Sequence, residues 1–371
     1  MRIQKWLAPF LVIVPILLLA ACGSESNKPP SCPTADCKAS NSSPTAAVVD
    51  NPVFPGTDWE MSSPQAESMD SAKLEGVDAY CVMHKCGGVV IVRHGRIAWE
   101  RYWGGWDAST TDNSWSMAKS VTSALVGIAI SEGKIKSLDD SAADYISEWK
   151  GTNKATVTLR DLITMESGLT WSMIYQPPSG DTINMIGSPD EVGYALKRTL
   201  YREPGTDWYY ADGDAETFSR ILKVATGMEA SQYAQAKLFG PIGMNVDQWG
   251  GDQLGQTMTY CCIESSARDF ARFGYLFLRN GRWGDQQVVP EQWVKESTQP
   301  SQIDNVNYGY FWWLYDFEGV PTDTFAAMGF QTKRIYVIPS LDIVAVRIGA
   351  SDDSWDDGDF LKPIVDAVTG P

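Results

Sequence analysis

The chain has 371 residues, 44% of them hydrophobic, enough for one large domain or two ordinary ones with a sizeable core. Its formal net charge of −16 repels phosphate backbones, which argues against a nucleic acid partner. Removing residues 1–21, which carry two basic residues (Arg2 and Lys5) and no acidic ones, takes the charge to −18.

The N-terminus reads MRIQK, then sixteen apolar residues, then Cys22. A short basic region followed by an apolar run and small residues is an export signal rather than a fold element. Leu19-Ala20-Ala21-Cys22 resembles the bacterial lipoprotein signal, in which the cysteine becomes the acylated first residue. The rival is an uncleaved anchor helix, but sixteen residues interrupted by Pro9 and Pro15 are short for spanning a bilayer. The expectation is a signal peptide over 1–21 and a lipidated Cys22 holding the protein in the bacterial cell envelope, periplasm-facing or at the surface. Residues 22–50 are rich in Ser, Pro, Asn and Ala and read as a flexible tether, roughly 30 Å long as a coil. In an oxidising compartment Cys32, Cys37, Cys81, Cys86, Cys261 and Cys262 are expected to form disulfides. A Cys32–Cys37 loop fits, as does a cluster joining Cys81 and Cys86 to Cys261 and Cys262. Zinc at these cysteines would have only His84 nearby and no paired ligand spacing, so no metal is implied.

Ser63-Pro64 reads as a helix start, with the helix running towards Cys81. GGVVIVRHGRIAWERYW reads as two strands joined at His94-Gly95. The uncharged run Val121–Ile130 predicts a buried helix ending near Gly133. DLITMESGL reads as a helix, and TWSMIYQPPSGDTINMIGSPD as a long, mobile flap. Helical patterns continue through DAETFSRILKVATG and ESSARDFARFGYLFLRNG. Strands return in YGYFWWLYDF, FAAMGFQTKRIYVIP and LDIVAVRIG, before a last helix near Phe360–Val368. Strands at both ends with helices between them predict one sheet built from the two ends, a helical insert, and a cleft between the two.

The head of the buried helix carries the most informative motif, Ser116-Met117-Ala118-Lys119, which sets a hydroxyl and an amine one turn apart on one face. A serine hydroxyl is a poor nucleophile without a neighbouring base. Lysine is that base only if its pKa is drawn down, and burial together with the helix N-terminus predicts this for Lys119. The alternative is that Ser116 caps the helix and Lys119 is solvated. Ser131…Lys134 and Ser147…Lys150 repeat the spacing, but beside Gly133 and Gly151 they read as solvated helix ends. The chain has two histidines, one in the hairpin turn and one between cysteines, so a histidine triad lacks a base. G-x-S-x-G, the phosphate-cradling glycine loop and H-E-x-x-H are absent. Asp212-Gly213-Asp214 lacks the remaining spacings of a calcium loop. Glu203–Asp212 (EPGTDWYYAD) forms a turn that delivers Tyr210 just before a helix.

These stretches, with VIVRHGRIAWERYW, SWSMAKSVTSALVG, VTLRDLITMESGLTW, ARDFARFGYLFLRNGRW and RIYVIPSLDIVAVR, span roughly residues 60–368. Together they resemble the penicillin-recognising serine hydrolase superfamily: class C β-lactamases, D-alanyl-D-alanine peptidases, carboxylesterases and 6-aminohexanoate-dimer hydrolases. The resemblance implies an α+β fold of β-lactamase/transpeptidase type over residues 51–371, an antiparallel sheet flanked by helices on both faces plus a helical subdomain. It implies Ser116 as the acylated nucleophile, Lys119 as its proton acceptor and Tyr210 as the partner passing a proton to the leaving group. The oxyanion hole would be the backbone N–H groups of Ser116 and of the residue after the third motif. The best match to that motif is Ala327-Met328-Gly329, which makes Phe330 the second donor. Asp212 stands where an asparagine often meets a substrate amide, and Ala327 where Lys or His is usual. Both departures occur in the esterase and dimer-hydrolase branch. Met328 and Gly329 are expected at the substrate, and Trp115 and Trp208, adjacent to Ser116 and near Tyr210, would favour an uncharged acyl group. The expected function is an exported serine hydrolase cleaving a small-molecule amide or ester through an acyl-serine. It implies no metal or organic cofactor, and membrane contact only through the lipid anchor. The rival enzyme is a β-lactamase or D-alanyl-D-alanine carboxypeptidase. The rival of another class is a catalytically silent envelope binding protein, against which the intact Ser116, Lys119 and Tyr210 argue.

Overall fold

A computed structural model describes residues 52–174, 180–301, 303, 307–314 and 317–371. The expected signal peptide, Cys22, the tether and Cys32–Cys37 lie outside the described residues. In chain order, α1 (Ser71–Met83), β1 (Cys86–Arg93) and β2 (Arg96–Tyr102) come first, and β3 (Thr111–Asn113) leads into α2 (Met117–Ser131). A helical stretch follows: α3 (Leu159–Ile163), α4 (Asp181–Ile186), α5 (Glu191–Leu196), α6 (Asp212–Thr226), α7 (Ala230–Ala234) and α8 (Gly240–Ile242). Next come β4 (Gln248–Trp249), β5 (Ile263–Ser266), α9 (Ala267–Leu278), the hairpin β6 (Arg282–Trp283) and β7 (Gln286–Gln287), and α10 (Glu291–Ser297). β8 (Trp313–Leu314), β9 (Phe325–Gly329), β10 (Lys333–Ile338), β11 (Ile343–Gly349) and α11 (Asp357–Asp366) close the chain.

The main sheet runs β2-β1-β11-β10-β9-β8, with every neighbouring pair antiparallel. Its two chain ends meet where β1 pairs with β11, Val90 opposite Val346. An unbroken apolar run marks a strand covered on both faces, and β1 is buried along its whole length. Val90 and Val92 pack with residues of α2 and α9, while Val89 and Ile91 pack with residues of α1 and α11. Helices therefore cover both faces, as expected. The β1–β2 turn places His94 (φ 51°) and Gly95 (φ 80°) in succession at positive φ, the requirement of a type I′ hairpin.

Several local expectations are corrected. Ser63-Pro64 opens only a turn, because Ser68 takes φ 54° and breaks the run; α1 starts at Ser71, capped by Asp70 accepting from the Ala72 N–H at 2.8 Å. The helix in DLITMESGL stops at Ile163, since Met165 (φ 65°) and Gly168 (φ 67°) turn the chain. The expected flap contains α4, whose Thr182 and Met185 are buried. Among the described residues of YGYFWWLYDF only Trp313–Leu314 forms a strand, Phe311 having turned at φ 60°. The four-cysteine cluster does not form. Cys81 bonds Cys86, joining α1 to β1, and Cys261 bonds its neighbour Cys262. The two pairs belong to opposite faces of the sheet.

Candidate active site

The site is assembled around the head of α2. Ser114, two residues before the motif, is locked to β5: its N–H donates to the Ile263 carbonyl at 2.7 Å, and its Oγ accepts from the Ile263 N–H at 3.0 Å. Trp115 then takes φ 46°, an outlier for a bulky residue. Surrounding groups hold it there: Asn113 Oδ1 accepts from its backbone N–H at 2.8 Å, and its indole N–H donates to Gln331 Oε1 at 3.1 Å. This sharp turn delivers Ser116 to the start of the helix. The Ser116 hydroxyl makes no capping bond; its Oγ accepts from Lys119 Nζ at 2.7 Å. The helix-cap alternative is thereby excluded. Of the other two pairs, Ser131 donates to the Ile128 carbonyl at 2.8 Å and Ser147 to Glu148 at 3.1 Å, both at exposed turns and neither reaching its lysine.

Lys119 is 1% exposed and uses all three of its donors, on Ser116 Oγ, on Asp212 Oδ1 at 2.7 Å and on the Tyr260 carbonyl at 3.1 Å. The expected lowering of its pKa is corrected. Burial, the largest influence, does push it down, but the Asp212 carboxylate and the neighbouring Tyr210 together push harder, and the result lies above the usual lysine range. The ion pair with Asp212 therefore favours the ammonium form of Lys119. Asp212 is likewise corrected: it is 2% exposed, and its second oxygen accepts from Thr182 Oγ1 at 2.6 Å. Both oxygens are engaged inside the protein, so Asp212 is the counter-ion of Lys119 rather than a contact for a substrate amide. As the first residue of α6 it also sits at the positive end of that helix.

The 203–210 turn is pinned by the Gly205 N–H on the Glu166 carbonyl and the Tyr209 N–H on the Met165 carbonyl, both at 2.9 Å. This places the Tyr210 ring centroid 5.0 Å from Lys119 Nζ. Trp208 packs edge-on against Tyr308 at 5.5 Å and lies 6.5 Å from Tyr210, within an aromatic group that includes Trp313. Ser116, Lys119 and Tyr210 thus converge, with Trp115 and Trp208 flanking them. The hollow of about 330 Å³ walled by Met165, Trp171, Tyr201 and Tyr209 lies along this turn, and none of the three converging residues lines it.

The third motif lies on β9, beside the head of α2. A Cβ on Gly329 would sit 2.2 Å from the Ser114 carbonyl oxygen, so only glycine lets this strand end approach the turn before Ser116. Phe330 follows, with its ring edge-on to Trp115 at 5.5 Å and more than half exposed. Met328 is corrected. Alternation along β9 sends Ala327 towards α2, while Met328 packs with the core under α1 and α11, on the far face of the sheet from Ser116. The nearest cations on β10 are committed elsewhere: Lys333 to Asp112 and the Gly349 carbonyl, and Arg334 to Asp357 and the Gly329 carbonyl.

Sequence reasoning missed Thr182, Asn113, Gln331 and the Tyr260 carbonyl. Thr182 lay inside the expected flap, and a backbone carbonyl leaves no residue-type signal. The one available pointer was the adjacent pair Cys261-Cys262 immediately after Tyr260. Among the described residues no group of three or more His, Cys, Asp or Glu side chains is placed to hold a metal ion.

The beta-lactamase family model matches residues 81–363, which includes every element of this site. The chain belongs to the beta-lactamase family. Its members are serine hydrolases of the penicillin-recognising superfamily, and the fold described above is theirs. The chain is 22% identical over 297 residues to the 6-aminohexanoate-dimer hydrolase of Paenarthrobacter ureafaciens, covering 73% of each chain. A Bacillus anthracis structure that carries the provisional name 6-aminohexanoate-dimer hydrolase superposes with a TM-score of 0.69 at 21% identity, over 78% of this chain and 80% of that one. EstCE1, described as a hydrolase with promiscuous acyltransferase activity, superposes with a TM-score of 0.67 at 15% identity, over 82% of this chain and all of that one.

Proposed function

We propose that this protein is a serine hydrolase that cleaves an ester or small amide through an acyl-Ser116 intermediate. The observation that carries the reading is the 2.7 Å contact between Ser116 Oγ and Lys119 Nζ at a helix head where the hydroxyl has no capping duty. In the reactive form the Lys119 amine takes the Ser116 proton, and Oγ attacks the substrate carbonyl. The backbone N–H groups of Ser116 and Phe330 stabilise the oxyanion. Tyr210 donates a proton to the leaving group and regains one from the Lys119 ammonium; water then releases the acyl group by the reverse route. Because Lys119 rests as an ammonium, the reactive amine is a minority form, and kcat/KM rises with pH through the neutral and mildly alkaline range. The same resting charge favours a second reading, in which Tyr210 first gives up its own proton and, as the phenolate beside the Lys119 ammonium, takes the serine proton, the ammonium only orienting and stabilising.

Names of relatives favour the ester and amide branch, since one curated relative is a 6-aminohexanoate-dimer hydrolase and a structural neighbour is the acyl-transferring hydrolase EstCE1. We include in the proposal that the chain is exported and anchored through an acylated Cys22. Cys22→Ala should abolish acyl-lipid labelling in a bacterial host and move the protein out of the detergent phase. The central test is intact-mass analysis after treatment with a fluorophosphonate probe. Wild type gains one adduct and Ser116→Ala gains none while keeping its fold; an adduct that persists on Ser116→Ala ends the assignment.

A further inference from the structure

The disulfide between the adjacent residues Cys261 and Cys262 lies in the segment that holds both ends of the Ser116–Lys119 pair. On its N-terminal side, the Tyr260 carbonyl accepts from Lys119 Nζ at 3.1 Å. On its C-terminal side, Ile263 holds Ser114 by two hydrogen bonds, setting the strained Trp115 turn that presents Ser116. Between them Cys262 takes φ 77°, a conformation costly for any residue with a Cβ. The rest of the segment is anchored on three sides. Thr122 of α2 donates to the Thr259 carbonyl at 2.8 Å, Thr259 donates to the Ala215 carbonyl of α6 at 2.8 Å, and the Trp249 indole donates to the Cys261 carbonyl at 2.9 Å. A bond between neighbouring cysteines restricts the peptide unit that lies between the unit carrying the Tyr260 carbonyl and the unit carrying the Ile263 amide, and so limits how those two can turn relative to each other.

We infer that the Cys261–Cys262 disulfide is a positioning element of the proposed site, fixing the turn that aims the Tyr260 carbonyl at Lys119 and the Ile263 backbone at Ser114. The inference rests on the serine-hydrolase reading and adds to it residues that touch neither substrate nor reacting atoms. Opening the bridge with a phosphine and water, the phosphine becoming its oxide with the oxygen of water as the disulfide takes up two electrons and water's two protons to give two thiols, frees the Cys262 residue to leave the left-handed region. The Tyr260 carbonyl then turns from the Lys119 ammonium. Losing an acceptor of the charged form lowers the pH at which Lys119 gives up its proton, and loosening Ser114 misplaces Oγ.

The test compares C261S/C262S with wild type and with C81S/C86S, whose bridge lies on the other face of the sheet. Initial rates on a short-chain p-nitrophenyl ester, corrected for spontaneous hydrolysis, are taken from pH 7 upward into the range above about pH 10.4 where a lysine gives up its proton, so that the alkaline midpoint falls inside the series. C261S/C262S is expected to lose at least tenfold in kcat with KM within about twofold, and the midpoint of its kcat/KM profile moves down by about one pH unit. C81S/C86S keeps the wild-type kcat and midpoint. If C261S/C262S does not fold, the same readouts are taken on C81S/C86S before and after phosphine reduction and again after reoxidation with oxidised glutathione, with near-UV circular dichroism monitoring the fold. A kcat within threefold of wild type, or a fall in kcat with an unmoved midpoint, overturns the inference. Ser116→Ala separates the two levels. If fluorophosphonate still labels it, the hydrolase reading fails and takes the positioning role with it. If labelling is lost but opening the bridge changes nothing, the positioning role alone fails.

Discussion

Replacing Asp212 with Asn tests the resting charge of Lys119 most directly. The substitution keeps size and a hydrogen-bond acceptor but removes the carboxylate 2.7 Å from a lysine that is 1% exposed. Breaking a buried ion pair from one side costs about 3–5 kcal/mol if the remaining charge stays. The lysine escapes that penalty by releasing its proton. At pH 7, holding neutral a group that titrates near 10.4 in the unfolded chain costs about 4.6 kcal/mol, from 3.4 units at 1.36 kcal/mol each. Both routes give a loss of about 3–5 kcal/mol at pH 7, a large share of the stability of an ordinary domain. The routes differ in pH dependence. In wild type the folded-state pKa is raised, so between pH 7 and 10 folded and unfolded chains both hold the proton and Lys119 adds no slope. In Asp212→Asn the folded lysine has lost its proton while the unfolded one keeps it, so the variant gains about 1.4 kcal/mol per pH unit over the same range. Urea unfolding of both proteins at pH 7, 8 and 9 should therefore show the gap shrinking to about 2 kcal/mol at pH 9. The kcat/KM profile of the variant should move to lower pH in parallel. A gap that stays constant across the three pH values would refute the reasoning, since the lysine would then not change charge with its partner.

Lys119→Arg should be nearly as damaging as Lys119→Ala, because a guanidinium cannot act as a base; if Arg retains most of the ester kcat, the base is elsewhere and the Tyr210 reading takes over. Glu191 provides an independent pH test: burial, opposed by the Tyr260 hydroxyl and aided by Asp252, raises its pKa to about 7. A carboxyl with a raised folded pKa stabilises below its unfolded value near 4.5 and loses that contribution as pH rises through about 7, here about 3 kcal/mol. Glu191→Gln should flatten the fall in melting temperature between pH 5 and 8, and an equally steep fall in the variant would exclude Glu191 as its source. Cephalosporins should be hydrolysed more slowly than a short-chain p-nitrophenyl ester. Their carboxylate meets no uncommitted cation on β9 or β10, and one missing charge-assisted bond is worth about 1.5–3 kcal/mol, or roughly tenfold to a hundredfold in kcat/KM. Cephalosporin turnover equal to the ester rate would show that a cation reaches the site from another element.

The sequence by itself determined which elements form and what chemistry is on offer. The uncharged run Val121–Ile130 identified α2 as buried, strand patterns located β1, β2 and β11, the His94-Gly95 pair fixed the first hairpin, and the juxtaposition of Ser116 and Lys119 followed from helical periodicity alone. These signals are local, carried by residue type and spacing within a few turns. Tertiary structure decided what no local window contains. Whether Lys119 is amine or ammonium depends on Asp212, 93 residues away, and burial without that partner points in the opposite direction. Met328 was assigned to the site from its place in a motif, but the alternation of β9 and the helices above and below the sheet put it on the far face. Among the described cysteines the expected four-cysteine cluster is ruled out by the opposite faces of the sheet that the two pairs occupy, which spacing in the chain does not show. Adjacent Cys261 and Cys262 acquire meaning only when the turn they close brings Tyr260 to Lys119 and Ile263 to Ser114. Charge state and orientation are set by contacts between distant segments, and those exist only once the chain is folded.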